Sequence, residues 1–434
     1  LQSGRDWVGE LFSSGDFIDF NISSTNIYNK NISIILRALS RSTENSRFII
    51  SVNNKNIGEL NLDNIKEELY GDKVVFSEDT FDLEVEDLEN LNVKITYSGS
   101  SKSLAYLDYL MVNYEKKIFY NSGQKIFKNF DALDYDKTQY KIETNEDITI
   151  WDISNPYNIV EQLYNEDFGN LIFNVISNKF SKFIIFNESD YLLPAYHRYA
   201  FDQYKQSKMN EILSHDNVEL LIITHDLFIY DGNRLAEFRR KNDQLNVKVV
   251  TVDEIYNQFS SSMPDIVAIR NYVKYLYDKT SEKLKYVLLF GDASYDYKDR
   301  ISNNTNFVPT YQSRNSTNNI YSYSSDDFFG FLETNEGEWE EDMSGDHTLD
   351  VGIGRIPVNN LEDSKKVVDK LISYNNQSKL LGNWKNNIYL IADDGDYNIH
   401  QIHAEDHFKS INSSHPEYDI KKIYIDFFEQ ELIG

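Results

Sequence analysis

The chain has 434 residues and a formal charge of −27, with 70 acidic against 43 basic side chains. Its length allows two or three globular domains, and its charge argues against nucleic acid and bare anionic membranes as partners. The sequence contains no cysteine, which excludes disulfides, thiolate metal sites and a cysteine nucleophile within it. The sequence has no apolar run of roughly 20 residues. It opens on Leu1 without a leader, so we expect a mature or excised piece of a protein.

Residues 1–125 predict an all-β sandwich or jelly roll. Apolar residues alternate with polar ones at period two, as in Val93, Ile95 and Tyr97, which indicates half-buried antiparallel strands. Residues 126–215 give mixed signals, and only a β-rich connecting region is predicted there.

In residues 216–434 the hydrophobic pattern changes: short apolar runs alternate with segments of helical period. The predicted strands are "VELLIIT", "VKVVTV", "KYVLLFGD" and "NNIYLIADD". The predicted helices are Arg234 to Gln244, Asp265 to Tyr277 and Leu361 to Tyr374, the last with Asn360 as its N-cap. Fully apolar strands that alternate with helices predict a mostly parallel sheet covered on both faces.

Two acidic turns follow predicted strands of this region. "YVLLFGD" ends on Asp292, and "YLIADDGD" ends on Asp393, Asp394 and Asp396. In an open α/β sheet, functional groups gather beyond the carboxyl ends of the strands. Asp and Gly are also ordinary turn residues, so for each motif alone a plain turn stays an alternative.

A third acidic segment, "SGDHTLDVGIGR", places Asp346 and Asp350 around a short loop. Such carboxylates suit Ca²⁺, which takes six to eight oxygen ligands, although the spacing does not match the helix-loop-helix calcium motif and a solvated acidic loop remains an alternative. Three histidines, His400, His403 and His407, match no zinc signature. The sequence also lacks the GxSxG motif of serine hydrolases.

Several segments, in their order along the chain, resemble the gingipain family of cysteine peptidases. They are "VVTVDEIYNQF", "YVLLFGDASYDYK", "YSSDDFFGFLE", "GDHTLDVGIGRIPV" and "WKNNIYLIADDGDYNIHQIHAED". The resemblance extends back to "GRDWVGELF" and covers nearly the whole chain. It implies a caspase-like α/β sandwich over residues 216–434, incomplete at its end, preceded by the β-rich region.

The resemblance also implies the chemistry. The family uses a cysteine nucleophile and a histidine in a Gly-His-Gly turn, and neither is present, so we expect the chain to end before them and to be inactive alone. Asp394 matches the acidic residue that orients the family histidine; such a carboxylate fixes the imidazole tautomer and stabilises the imidazolium. His400 stands where arginine-specific members carry an acidic residue, so an arginine-reading pocket is not expected.

Structural calcium is implied in the same way. Asp292 matches a ligand of one family site, Asp346 and Asp350 match ligands of a second, and His403 matches a ligand of a third.

Within the family, the resemblance is to a sortase of the bacterial type IX secretion system. Such an enzyme removes C-terminal sorting domains from exported cargo through a thioester and joins the cargo to lipopolysaccharide or water. The implied partners are the outer-membrane β-barrel PorV, cargo proteins and lipopolysaccharide, without nucleic acid, and the implied location is the outer-membrane cell surface. Two alternatives stay open: a non-catalytic surface scaffold with this fold, and a peptidase that digests proteins broadly.

Overall fold

The computed structural model describes residues 5–23, 27–68, 70–85, 90–193, 211–280, 282–336, 347–375, 382–429 and 431. They form two β-sandwiches and an α/β unit in chain order. In these ranges, no helix has both the length and the apolar character needed to span a bilayer.

The first sandwich consists of two four-stranded antiparallel sheets, ordered β1-β8-β3-β6 and β2-β7-β4-β5. Its strands are β1 (Leu11–Ser13), β2 (Phe17–Ser23), β3 (Ile27–Arg41), β4 (Ser46–Val52), β5 (Lys55–Leu62), β6 (Val75–Glu84), β7 (Asn90–Ser98) and β8 (Leu104–Lys116).

Alternation at period two builds the core of this sandwich. In β7 the side chains of Leu91, Val93, Ile95 and Tyr97 are buried, while the residues between them are partly exposed. Successive side chains of a strand point to opposite faces, so each strand supplies one apolar row to the core between the sheets. The antiparallel strands predicted for this region are present.

The second sandwich has the sheet orders β10-β16-β12-β13 and β14-β15-β11-β9. Its strands are β9 (Ile118–Phe119), β10 (Lys125–Lys128), β11 (Lys137–Glu143), β12 (Thr149–Asp152), β13 (Val160–Glu161), β14 (Asn165–Asp167), β15 (Asn170–Ile176) and β16 (Lys182–Phe186). Aromatic rings fill its core, with Tyr140, Phe173 and Phe183 packed at centroid distances of 5.2 to 5.4 Å. The sandwich begins before residue 126, where the predicted connecting region starts.

The α/β unit carries a four-stranded parallel sheet ordered β18-β17-β19-β22. Its strands are β17 (Leu220–Thr224), β18 (Val247–Thr251), β19 (Tyr286–Phe290) and β22 (Gly352–Ile356); β20 (Tyr311–Gln312) and β21 (Ser324–Ser325) form a small antiparallel pair. A separate parallel pair joins β23 (Asn387–Ala392) and β24 (Asp419–Tyr424).

Helices cover both faces of the four-stranded sheet. They are α1 (Ile229–Asn242), α2 (Val252–Phe259), α3 (Ile266–Lys279) and α4 (Leu361–Tyr374), and α5 (Gly395–Ser414) follows β23. One buried cluster joins α2 and α3 to the sheet, and another joins α1 and α4 to it. Alternate side chains of β17 enter the two clusters, with Leu221 and Ile223 in the first and Leu220 and Ile222 in the second, which explains why the strand is apolar throughout.

The predicted parallel α/β arrangement is therefore confirmed in part, with three differences. Strand β22 was not predicted, because its sequence "GIGRI" has no apolar run. Helix α2 was not predicted either; it begins at a capping box in which Thr251 accepts a hydrogen bond from the Glu254 amide and Glu254 accepts one from the Thr251 amide. The fourth predicted strand, β23, pairs with β24 instead of joining the larger sheet.

Candidate active-site edge

The strand order of the larger sheet reverses direction between β17 and β19. The chain proceeds from β17 to β18 on one side and to β19 and β22 on the other, so this is the topological switch point where open α/β sheets bind ligands. Thr224, the last residue of β17, donates to the carbonyl oxygen of Phe290 at 2.7 Å. His225 follows, with its ring 5.1 Å from that of Phe307. The sequence interpretation missed His225, although it directly follows an apolar strand.

Asp292 lies at this edge, as predicted from its position after β19. Its carboxylate accepts hydrogen bonds from the Ala293 amide at 3.0 Å and the Thr305 hydroxyl at 2.7 Å. Its backbone oxygen accepts from the amides of Phe307 and Val308, each at 3.0 Å. The side chain is partly buried, and it ties the segment after β19 to the loop that returns across the sheet edge.

Gly291, just before Asp292, requires glycine. Its φ of 156° lies in the region that residues with a side chain rarely adopt, and a Cβ there would lie 2.8 Å from Cγ2 of Val308. Close approach of the returning loop to the backbone therefore depends on the absence of a side chain at this position.

Arg355 of β22 binds several groups at the same edge of the sheet. Its guanidinium binds the Asp326 carboxylate through two hydrogen bonds of 2.7 Å, and it donates to the carbonyl oxygens of Gly291 at 2.8 Å, Val308 at 2.7 Å and Pro309 at 3.2 Å. Its side chain is only 13% exposed. A planar fork that satisfies all its donors in this way is a strong, geometrically specific contact.

Of the second pair of predicted calcium ligands, Asp346 and Asp350, the structure describes only Asp350. Asp350 precedes β22, and its carboxylate accepts from the Leu332 amide at 2.8 Å; Asp346 lies outside the described residues. Because β19 and β22 run parallel with Phe290 opposite Ile356, Asp350 and Asp292 lie at opposite ends of the sheet. At about 3.3 Å per residue the two carboxylates are on the order of 20 Å apart, so they belong to different sites.

Asp394 follows β23, and its neighbour in space is Asp426. The strand register pairs Ala392 with Tyr424, so each aspartate lies two residues beyond the end of its own strand. A hydrogen bond in which the protonated Asp394 carboxyl donates to the Asp426 carboxylate, and then the negative charge of Asp426, raise the pKa of Asp394. Two neighbouring carboxyl groups of this kind favour a cation or a proton donor between them. The sequence interpretation missed Asp426.

The predicted histidine ligand, His403, lies on the exposed side of α5. Near the start of the same element, where residues 396–398 have left-handed backbone angles, Nε2 of His400 is 3.4 Å from the carboxylate of Asp396. Among the described residues, no three acidic, histidine or cysteine side chains converge as a ready metal site.

An open parallel sheet with acidic side chains beyond its strands defines an α/β protein whose site lies at the carboxyl edge. Residues 214–433, slightly more than half of the chain, match the model of peptidase family C25. The chain belongs to peptidase family C25. This confirms the resemblance to gingipain-type cysteine peptidases found in the sequence.

Comparison with solved structures finds one with the same fold over most of the chain. The dimeric latent PorU of Porphyromonas gingivalis is similar at 20% identity with a TM-score of 0.71, over 88% of this chain and 37% of that one. The chain thus spans well under half of that protein. The Arg-specific cysteine proteinase gingipain R matches at 21% identity over 49% of this chain and 42% of that one, with a TM-score of 0.34. A search of curated proteins gave no match.

Proposed function

We propose that the chain is the N-terminal and first catalytic portion of a cell-surface cysteine endopeptidase and transpeptidase, the sortase of a type IX secretion system. The observation that carries the proposal is the Asp394–Asp426 pair beyond the parallel strands β23 and β24. In this proposal Asp394 is the carboxylate that orients the catalytic histidine, and the α/β unit is part of a caspase-like sandwich.

The carboxylate pair would assist a catalytic imidazole in two ways. Asp394 would accept its N–H and hold one tautomer, and the nearby negative charge would stabilise the imidazolium that forms when a thiol is deprotonated. The paired arrangement supports this role because a cation relieves the repulsion between the two carboxylates. The chain has no cysteine, so the thiol of the proposed reaction belongs to polypeptide outside this sequence.

The sorting role is supported by the extent of the likeness to PorU. The shared fold covers 88% of the chain and therefore extends into the β-sandwiches as well as the α/β unit. We propose the sandwiches as docking modules for PorV and for cargo C-terminal domains, with lipopolysaccharide as the acceptor at the outer-membrane surface. We propose no nucleic-acid partner, because a net charge of −27 repels phosphate groups.

The experiment that tests sorting uses the complete protein and a matched pair of cargo proteins, one with and one without its C-terminal domain. We expect cleavage of the first only, at the junction with the domain, read by mass spectrometry of the products. Equal cleavage of both would replace sorting by broad digestion. Cleavage of neither, with PorV and lipopolysaccharide supplied, would favour the non-catalytic scaffold.

We also propose structural calcium at Asp292 and, separately, at Asp346 and Asp350, with a third ion at His403. Partly buried carboxylates on loops rich in backbone carbonyls suit this ion, and Asp292 and Asp350 both have that setting. A structure of the complete protein determined with calcium present tests this. Ions with oxygen ligands at about 2.3–2.6 Å are expected, and the absence of an ion from all three places would exclude the proposal.

A further inference from the structure

A short segment before the first sandwich lies against the α/β unit. Nε of Arg5 donates to the Gln312 carbonyl oxygen at 2.9 Å, and the Tyr297 hydroxyl donates to the Arg5 carbonyl oxygen at 3.2 Å. The ring of Trp7 stacks on that of Tyr295, with centroids 6.2 Å apart and planes 8° from parallel. Segment 5–7 therefore contacts both the start of residues 295–318 and, at Gln312, the strand β20 within them; we call residues 295–318 loop 295–318.

A turn of the first sandwich holds the far end of the same loop. The Lys73 amide donates to the Thr317 carbonyl oxygen at 2.8 Å, and the Asn318 side chain donates to the Tyr70 carbonyl oxygen at 2.9 Å. The Thr317 hydroxyl also donates to the Asp72 carboxylate at 3.2 Å. Segment 5–7 and this turn of the sandwich thus converge on loop 295–318.

This loop is the one that closes the carboxyl edge of the parallel sheet. It starts three residues after Asp292, and within it the amides of Phe307 and Val308 bond to the Asp292 carbonyl oxygen. The Val308 carbonyl oxygen is one of those held by Arg355. Whatever positions loop 295–318 therefore also affects the position of Asp292.

Polar atoms without partners are concentrated at this junction. Among the described residues, Nε1 of Trp7, Oδ1 of Asp296 and Nε2 of Gln312 are buried without a hydrogen bond. Asp296 is fully buried, and its other carboxylate oxygen accepts from the Ile301 amide at 2.6 Å. A buried polar atom without a partner costs free energy until water reaches it, so such atoms at the junction weaken docking.

We infer that segment 5–7 and turn 70–73 form an interdomain latch, which holds loop 295–318 against the edge carrying Asp292 and is weak enough to release. The stacked ring and the direct hydrogen bonds close the latch. The buried atoms without partners keep the closed and open states close in free energy, because opening hydrates them. The first sandwich is then a positioning module for the carboxyl edge of the α/β unit.

Hydrogen exchange measured by mass spectrometry on the full chain tests the latch. Trp7→Ala is expected to raise exchange of the amides in loop 295–318 by about tenfold, with β17 and β19 unchanged, because only local opening is affected. Trp7→Phe keeps a stacking ring but removes the unpartnered N–H, so exchange in the loop should equal or fall below that of the wild type. Tyr28→Ala, at an exposed tyrosine of the same sandwich, is the matched control and should change nothing in the loop.

Two results with Trp7→Ala, and a third with Trp7→Phe, would overturn the inference. One is unchanged exchange in loop 295–318 after Trp7→Ala. The other is an equal increase across β17, β19 and the loop, which would show general destabilisation. A loop loosened as much by Trp7→Phe as by Trp7→Ala would remove the role given to the unpartnered N–H and with it the idea of a latch poised to open.

Discussion

Replacing Asp394 by alanine in the complete protein is expected to lower kcat by roughly two to four orders of magnitude, with a much smaller change in KM. Loss of the orienting carboxylate leaves the histidine in the wrong tautomer or orientation and its charged form unsupported, and such losses have this size in other hydrolases. Steady-state cleavage of cargo measures both constants.

Asp393→Ala is the matched control. Asp393 is the preceding acidic residue, is exposed, and belongs to the same turn, so its removal changes the local charge equally. We expect kcat within about threefold of the wild type for this variant, as for most exposed positions without a partner. If both variants retain full activity, Asp394 is not the orienting carboxylate.

Replacing Arg355 by alanine is expected to destabilise the α/β unit by about 3–5 kcal/mol, because it leaves the poorly exposed Asp326 carboxylate without its cation. The substitution also removes the donors that hold the carbonyl oxygens of Gly291 and Val308. The free energy of opening, measured by hydrogen exchange at the buried amides of β17 and β19, reports the loss without requiring the three units to unfold together.

Arg239→Ala provides the contrast. Arg239 pairs with Asp243 at 2.8 Å on the surface of α1, and its side chain is 34% exposed, so its loss should cost about 0.5 kcal/mol or less. Arg355→Lys should recover only part of the stability, because an ammonium cannot form the two-pronged contact. A cost for Arg355→Ala no larger than that for Arg239→Ala would show that the Asp326 contact does not hold the edge.

The sequence predicted the helices and strands whose hydrophobic period or capping residue lies within the element itself. Helix α4 spans the predicted residues because its apolar period coincides with a side-chain cap, in which Asn360 accepts from the Asp363 amide at 2.9 Å. In β7, one buried face produces the alternation that identifies the strand. Strand β22 was not predicted because its sequence contains two glycines and an arginine and lacks an apolar run. Its strand conformation is stabilised by pairing with β19, which the local sequence does not show.

The site residues that were missed depend on contacts between distant segments. Asp426 is recognisable only when β24 is placed parallel to β23 in the observed register. The Asp326–Arg355 contact spans 29 positions, and neither residue lies in a motif with a distinctive period. Asp292 and Asp394 were found because a strand end is visible in the sequence, whereas their partners become visible only in the fold.

The most direct measurement of the central claim is the distance from the Asp394 carboxylate to the nearest imidazole nitrogen in an experimental structure of the complete protein. The account predicts a separation of about 2.6–3.2 Å, with a cysteine sulfur within reach of the other ring nitrogen. An Asp394 carboxylate that meets only Asp426 and solvent, with no histidine near it, would contradict the account.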